Sequence, residues 1–172
     1  MTEGISILII LIIPFVIIFL LIAGIAIIVK KRKKKKKKAI LDNLDFEPTF
    51  TADIRINTDQ AQKEFIKFKG YQSCGLLYIY RDKVYVEGYN HRNIKQTFNL
   101  RTSTMQWVGM EFQNGLIDWF KLIDNQTGKC LYINIDTGLF VFQMAGKMTT
   151  SQLFNILKQE QQIINQTPPM TK

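Results

Sequence analysis

The chain has 172 residues, with 23 Lys and Arg against 14 Asp and Glu and a formal net charge of +9. Nine of those cations form one run, Lys30 to Lys38; beyond it 14 basic residues meet 13 acids, so the rest of the chain is nearly neutral and is not a general polyanion binder. Two cysteines, Cys74 and Cys130, are too few for a disulfide framework and lack metal-ligand spacing, while the residues after Lys38 suffice for one domain with its own core.

In chain order, residues 1–4 are a short tail. From Ile5 to Val29 no residue is charged, and only Ser6, Pro14, Ala23, Gly24 and Ala26 depart from Ile, Leu, Phe and Val. At 1.5 Å per residue this run forms a helix about 37 Å long, enough to cross a hydrocarbon core of about 30 Å with some tilt. Pro14 lacks a backbone donor and is expected to loosen that helix.

The run ends at Lys30, Lys31, Arg32, Lys33, Lys34, Lys35, Lys36, Lys37 and Lys38, whereas only Glu3 and the terminal amine precede it. That asymmetry predicts a single-pass stop-transfer anchor with the N-terminus outside and the rest of the chain cytoplasmic. A cleaved signal peptide would need its cations before a shorter apolar core. The bilayer is thus the first expected partner, and the nine cations are the candidate site for anionic lipid headgroups.

Residues 39–63 read as a linker, acidic at Asp42, Asp45 and Glu47 and interrupted by Pro48; Phe50, Ile54 and Ile56 alternate weakly, as in an edge strand. Ala61, Phe65 and Phe68 fit one helical face, which predicts a short helix between Thr58 and Lys69 merging into a strand near Gly70. The β signal is dense from Gly75. Gly75 to Tyr80 and Lys83 to Tyr89 flank the turn Arg81-Asp82; Gln96 to Leu100, Met105 to Phe112, Trp119 to Ile123, Cys130 to Ile135 and Leu139 to Met144 follow, separated by Asn114-Gly115, Asn125 to Gly128 and Asp136 to Gly138. Alternation puts Leu131, Ile133 and Ile135 on the core side, opposite Tyr132 and Asn134. The period then becomes helical: Leu153, Ile156, Leu157, Ile163 and Ile164 share a face, Thr149 and Gln152 make a capping box, and Pro168-Pro169 is a stop.

The hairpins ending in Gly138-Leu139-Phe140-Val141-Phe142, followed by the helix Thr149 to Gln162, resemble a pleckstrin-homology-like (PH-like) domain over about residues 64–162. The resemblance implies a binding module for lipids, peptides or other domains. In lipid-binding relatives the first hairpin loop holds the headgroup; here Arg81 and Lys83 flank Asp82, which partly cancels them. The predicted fold is a single transmembrane α-helix plus a mainly β domain of about seven antiparallel strands, a PH-like barrel or sandwich, closed by a C-terminal amphipathic helix. That domain occupies residues 64–165, with a tail at 166–172.

Groups for catalysis are sparse. The one histidine, His91, sits in a polar turn with no nucleophile pattern beside it, its nearest carboxylate Glu87 is on a strand, and phosphate-binding, dinucleotide and zinc motifs are missing. Tyr78, Tyr80, Tyr85, Tyr89, Trp107, Trp119, Phe140 and Phe142 read as core and sheet packing, because a near-neutral domain offers no positive groove for nucleic acid. The expectation is a non-enzymatic protein, with no cofactor, metal or nucleic acid, whose cytoplasmic domain binds a protein partner at the membrane. An anionic-lipid sensor and an accessory structural subunit of a larger membrane complex are the alternatives.

Overall fold

The computed structural model describes residues 2–64, 70–89, 94–111, 117–137 and 148–167. The chain divides into two compact units, residues 1–43 and 44–172.

The first unit is one helix, α1, Thr2–Asp42, with Pro14 inside it. From Phe15 to Ile18 four successive side chains are each about half exposed or more, and Phe19 is 71% exposed, so the apolar surface runs right round the axis. A helix apolar on every side either lies inside a large protein or faces lipid; none of this helix's apolar window is buried, and it is long and apolar enough to cross a membrane.

Among the described residues the second unit has seven antiparallel strands: β1 Phe50–Thr58, β2 Ser73–Tyr80, β3 Lys83–Gly88, β4 Lys95–Asn99, β5 Ser103–Glu111, β6 Ile117–Asp124 and β7 Cys130–Ile135. They lie in the order β4-β3-β2-β1-β7-β6-β5. Only Leu100, Arg101 and Thr102 join β4 to β5, the two ends of that order. Such a link reaches about 14 Å, whereas six strand spacings in a flat sheet would separate the ends by about 29 Å. The sheet must therefore roll up, and its inward residues, among them Ile54, Leu77, Val86, Phe98, Phe120 and Ile133, form one core.

Two helices among the described residues pack with these strands. Helix α2, Asp59–Lys63, is capped by Thr58 and held where Asn57 Nδ2 donates to Gln62 Oε1 at 2.8 Å. Helix α3, Thr150–Gln166, starts at the predicted capping box, in which Gln152 N donates to Thr149 Oγ1 and Thr149 N to Gln152 Oε1. Leu153 and Leu157 enter the core completely. At its far end Gln161 Nε2 donates to the carbonyls of Leu100 and Ser103, tying α3 to the link that closes the roll.

Three expectations are corrected. Residues 39–63 are not a linker: α1 continues to Asp42, and β1 is a central strand between β2 and β7. Its polar outward residues made it look like an edge, yet Arg55 and Asn57 are buried, Arg55 against Asp136. The domain therefore begins upstream of residue 64, and seven strands are reached without Leu139 to Met144, which lies outside the described residues. On α3, Ile163 is 57% exposed; Phe154 takes a place against the core instead. Leu131, Ile133 and Ile135 face the core as predicted, although Asn134 on the opposite side is buried too.

Candidate functional site

Because α1 runs unbroken through Lys30–Lys38, the nine cations are spaced 100° apart around the axis and wind through two and a half turns, about 12 Å of height. They form a collar rather than a stripe. Lys30, Lys31, Arg32, Lys34, Lys35, Lys36 and Lys38 are exposed, and Lys33 and Lys37 half-buried. Within the run five pairs stand at i,i+4 and six at i,i+3, all of like charge. At a few tenths of a kcal/mol each, this is roughly 2 to 5 kcal/mol of self-repulsion at low salt, which bound anions would relieve. The Asp42 carboxylate stands four residues beyond Lys38.

The sheet unit offers a different surface. Among the described residues β5 pairs only with β6, and its register shifts between Trp107 and Gly109, where Gly109 takes φ +86°. This bulge turns the strand and leaves Trp107 39% and Met110 63% exposed. Trp107 is held edge-on by Phe154 of α3, centroids 5.5 Å apart, so the exposed indole is fixed in place. Residues from Ser103 to Trp107 keep regular pairing geometry next to this apolar pair.

A cleft of about 260 Å³ opens beside the start of α3, lined by Arg55, Asp118, Asn134 and Thr150 with Met110 and Ile117. Its polar groups mostly serve the fold. Arg55 Nε lies 3.4 Å from Asp136 Oδ1, both side chains almost fully buried, and Asn134 Nδ2 donates to Asp118 O and to Thr150 Oγ1. Asp136 N donates in turn to Asp53 O, and the Tyr89 hydroxyl to Asp53 Oδ1 at 2.7 Å. Burial first, and Asp53 second, push the Tyr89 phenol far above its ordinary value. On the next strands Tyr78 donates to Glu87 Oε1 at 2.6 Å and Lys95 Nζ stands 3.1 Å from the same oxygen. Burial and that bond hold the Tyr78 proton likewise.

The carboxylate closest in sequence to His91 is thus committed to Tyr78 and Lys95, while His91 itself lies outside the described residues. Cys74 and Cys130 are not joined in a disulfide; burial, opposed by Lys121, pushes Cys130 up, and its Sγ faces Asp59 Oδ1 at 3.9 Å. In the first hairpin Arg81 adopts φ 54° and lies over the Tyr80 ring at 5.2 Å, so the turn's cation is partly taken up by its own strand.

Sequence reasoning named the cations of the collar but grouped Trp107 with the core aromatics and passed over Met110. The glycine two residues after Trp107, within a strand pattern, was the available sign of a bulge that would expose them. Trp119 and Tyr78 are core or sheet-face residues as expected, and Phe120 is fully buried beside them in sequence. No protein-family model matches the chain, and no curated protein matches it in sequence.

Proposed function

We propose that the chain is a single-pass membrane protein that presents a non-catalytic sheet domain on the cytoplasmic side to a protein partner. Support for the anchor comes from the length and all-round apolarity of α1, and for the orientation from the cations that follow it. Seven antiparallel strands followed by a C-terminal helix support the PH-like resemblance, a superfold of binding modules. The observation that carries the reading is the β5 edge: Trp107 and Met110 are large, apolar and exposed on a strand with one described neighbour. An extended partner segment would add beside Thr104 to Trp107 by main-chain hydrogen bonds and cover the indole, the type of side chain that dominates binding energy at interfaces.

The test is site-specific photo-crosslinking in native membranes, with a photoreactive residue at Met110 and a control at Lys83 on β3. The proposal predicts a discrete protein adduct from position 110, lost on Trp107→Ala, and none from 83. Adducts of equal yield from both positions, or only lipid adducts from 110, would contradict it. A quantitative adduct with a membrane subunit would favour the structural-subunit reading instead.

A further inference from the structure

The geometry points to a two-tier lipid site in the collar: Lys30 to Lys33 lie in the headgroup layer, and Lys34 to Lys38 bind lipids whose headgroup carries additional phosphates, as in a phosphoinositide. This rests on the proposed membrane span.

The collar is taller than the layer it meets. It rises about 12 Å, whereas the headgroup region on one side of a bilayer is about 5 to 7 Å thick. With the apolar run ending at Val29, the backbone leaves the phosphate layer near Lys34. Side chains on a helix lean toward its N-terminus, which here is the bilayer, by about one residue's rise, so the ammonium groups of Lys34, Lys35 and Lys38 stay roughly 6 to 12 Å above the end of the apolar run. They stand at or beyond the outer boundary of the layer, above the phosphodiester of an ordinary lipid. A lipid with phosphomonoesters on a ring beyond its phosphodiester places charge at that height; phosphatidylserine does not.

The arrangement supplies the affinity as well as the height. Lys34 and Lys38 stand one above the other at i,i+4, with Lys35 and Lys38 forming a second pair at i,i+3. A multivalent anion between members of a pair replaces repulsion with attraction. Because successive residues turn by 100°, such pairs face several directions and the helix can gather more than one lipid at a time.

The experiment reconstitutes the full chain in bilayers of phosphatidylcholine containing either phosphatidylserine or phosphatidylinositol bisphosphate at matched total lipid charge. Enrichment of each anionic lipid around the protein is read for three forms: wild type, Lys34→Gln/Lys35→Gln/Lys38→Gln, and Lys30→Gln/Lys31→Gln/Arg32→Gln. Wild type should favour the bisphosphate by about fivefold or more, the value of one cation at an anionic surface. The outer triple variant should bring that ratio close to one, and the inner triple variant should keep it while losing phosphatidylserine enrichment. A wild-type ratio of one, or equal loss in both variants, would overturn the two tiers. Alkaline carbonate extraction of the same samples checks the span separately: release of the wild-type chain would contradict the anchor, whereas a retained chain without selectivity would contradict only this site.

Discussion

Phe46 lies flat on Tyr80, with ring centroids 3.9 Å apart and planes 17° from parallel. Tyr85 stacks in turn on Tyr78 at 4.9 Å, and Phe46 reaches both rings at 5.9 and 6.4 Å. Together with Thr49 N donating to Ile79 O, this fastens residues 46–49 to β2, so only Asn43, Leu44 and Asp45 separate the end of α1 from the first anchored ring. Phe46→Ala should lower stability by about 1 to 2 kcal/mol, the sum of one stacked pair and its partial burial. Urea unfolding of residues 44–172 measures this against Glu47→Ala, which should be neutral; equal midpoints for the two variants would show that the stack is incidental.

Residues 44–172 should fold cooperatively without α1, since they form a compact unit with a core of their own. Within that fragment Leu153→Ala should cost about 2 to 5 kcal/mol, and Ile163→Gln less than about 0.5. Ending the chain at Lys147 removes Leu153 and Leu157 together and should abolish the cooperative transition. A truncated fragment with an unchanged thermal midpoint would mean that α3 is not part of the core.

Gly75 sits where two strands approach closely. A Cβ there would run into the Glu87 carbonyl oxygen and stand 2.7 Å from Ile56 Cδ1. The carbonyl belongs to the neighbouring strand and cannot step aside as a flexible side chain could. Gly75→Ala should therefore destabilise by roughly 3 kcal/mol or more despite adding one methyl. Thermal unfolding reads the effect directly, and a variant within half a degree of wild type would refute the close approach.

Alkaline pH should weaken the domain through Tyr89 and Tyr78. Burial and then the bond to a carboxylate raise both phenols in the folded state. The folded state thus keeps protons that the unfolded chain releases near pH 10, so their contribution is fully present below about pH 10 and is lost as pH rises beyond it. Urea midpoints taken from about pH 8 to 11 should fall steeply for wild type and less steeply for Tyr89→Phe. Parallel slopes would mean that Tyr89 ionises alike in both states.

Where sequence reasoning succeeded, a local pattern carried the whole signal: the uncharged run as a helix, the strands between Gly75 and Ile135 and the capping box at Thr149. Where it failed, the deciding contact was distant in sequence. Strand β1 alternates polar and apolar residues as a half-exposed edge would, and contacts such as Asp136 beside Arg55 and Gln72 N donating to Asn57 Oδ1 make its polar face burial-tolerant. Ile163 fits the apolar helical face by period, but the core is already filled by Leu153 and Leu157, with Phe154 against it, and Gln161 turns the last stretch of α3 toward the Leu100 link. The place of β5 at one end of the described strand order was illegible for the same reason, since strand order is a property of the whole topology.

Asn125 provides the most direct test of the account. It begins the sequence Asn-Gln-Thr in the exposed turn between β6 and β7, where Thr127 Oγ1 donates to Asp124 Oδ2 and Thr104 Oγ1 to Asn125 Oδ1. The site is thus open to glycosylation if the domain enters a secretory lumen. The full chain is expressed in a eukaryotic secretory system beside a control carrying a cleavable signal peptide in place of residues 1–38. The account predicts that the control is modified at Asn125 while the full chain stays unmodified and membrane-bound. Glycosylation of Asn125 in the full chain would place the domain on the opposite side of the membrane and contradict the orientation on which the proposed function depends.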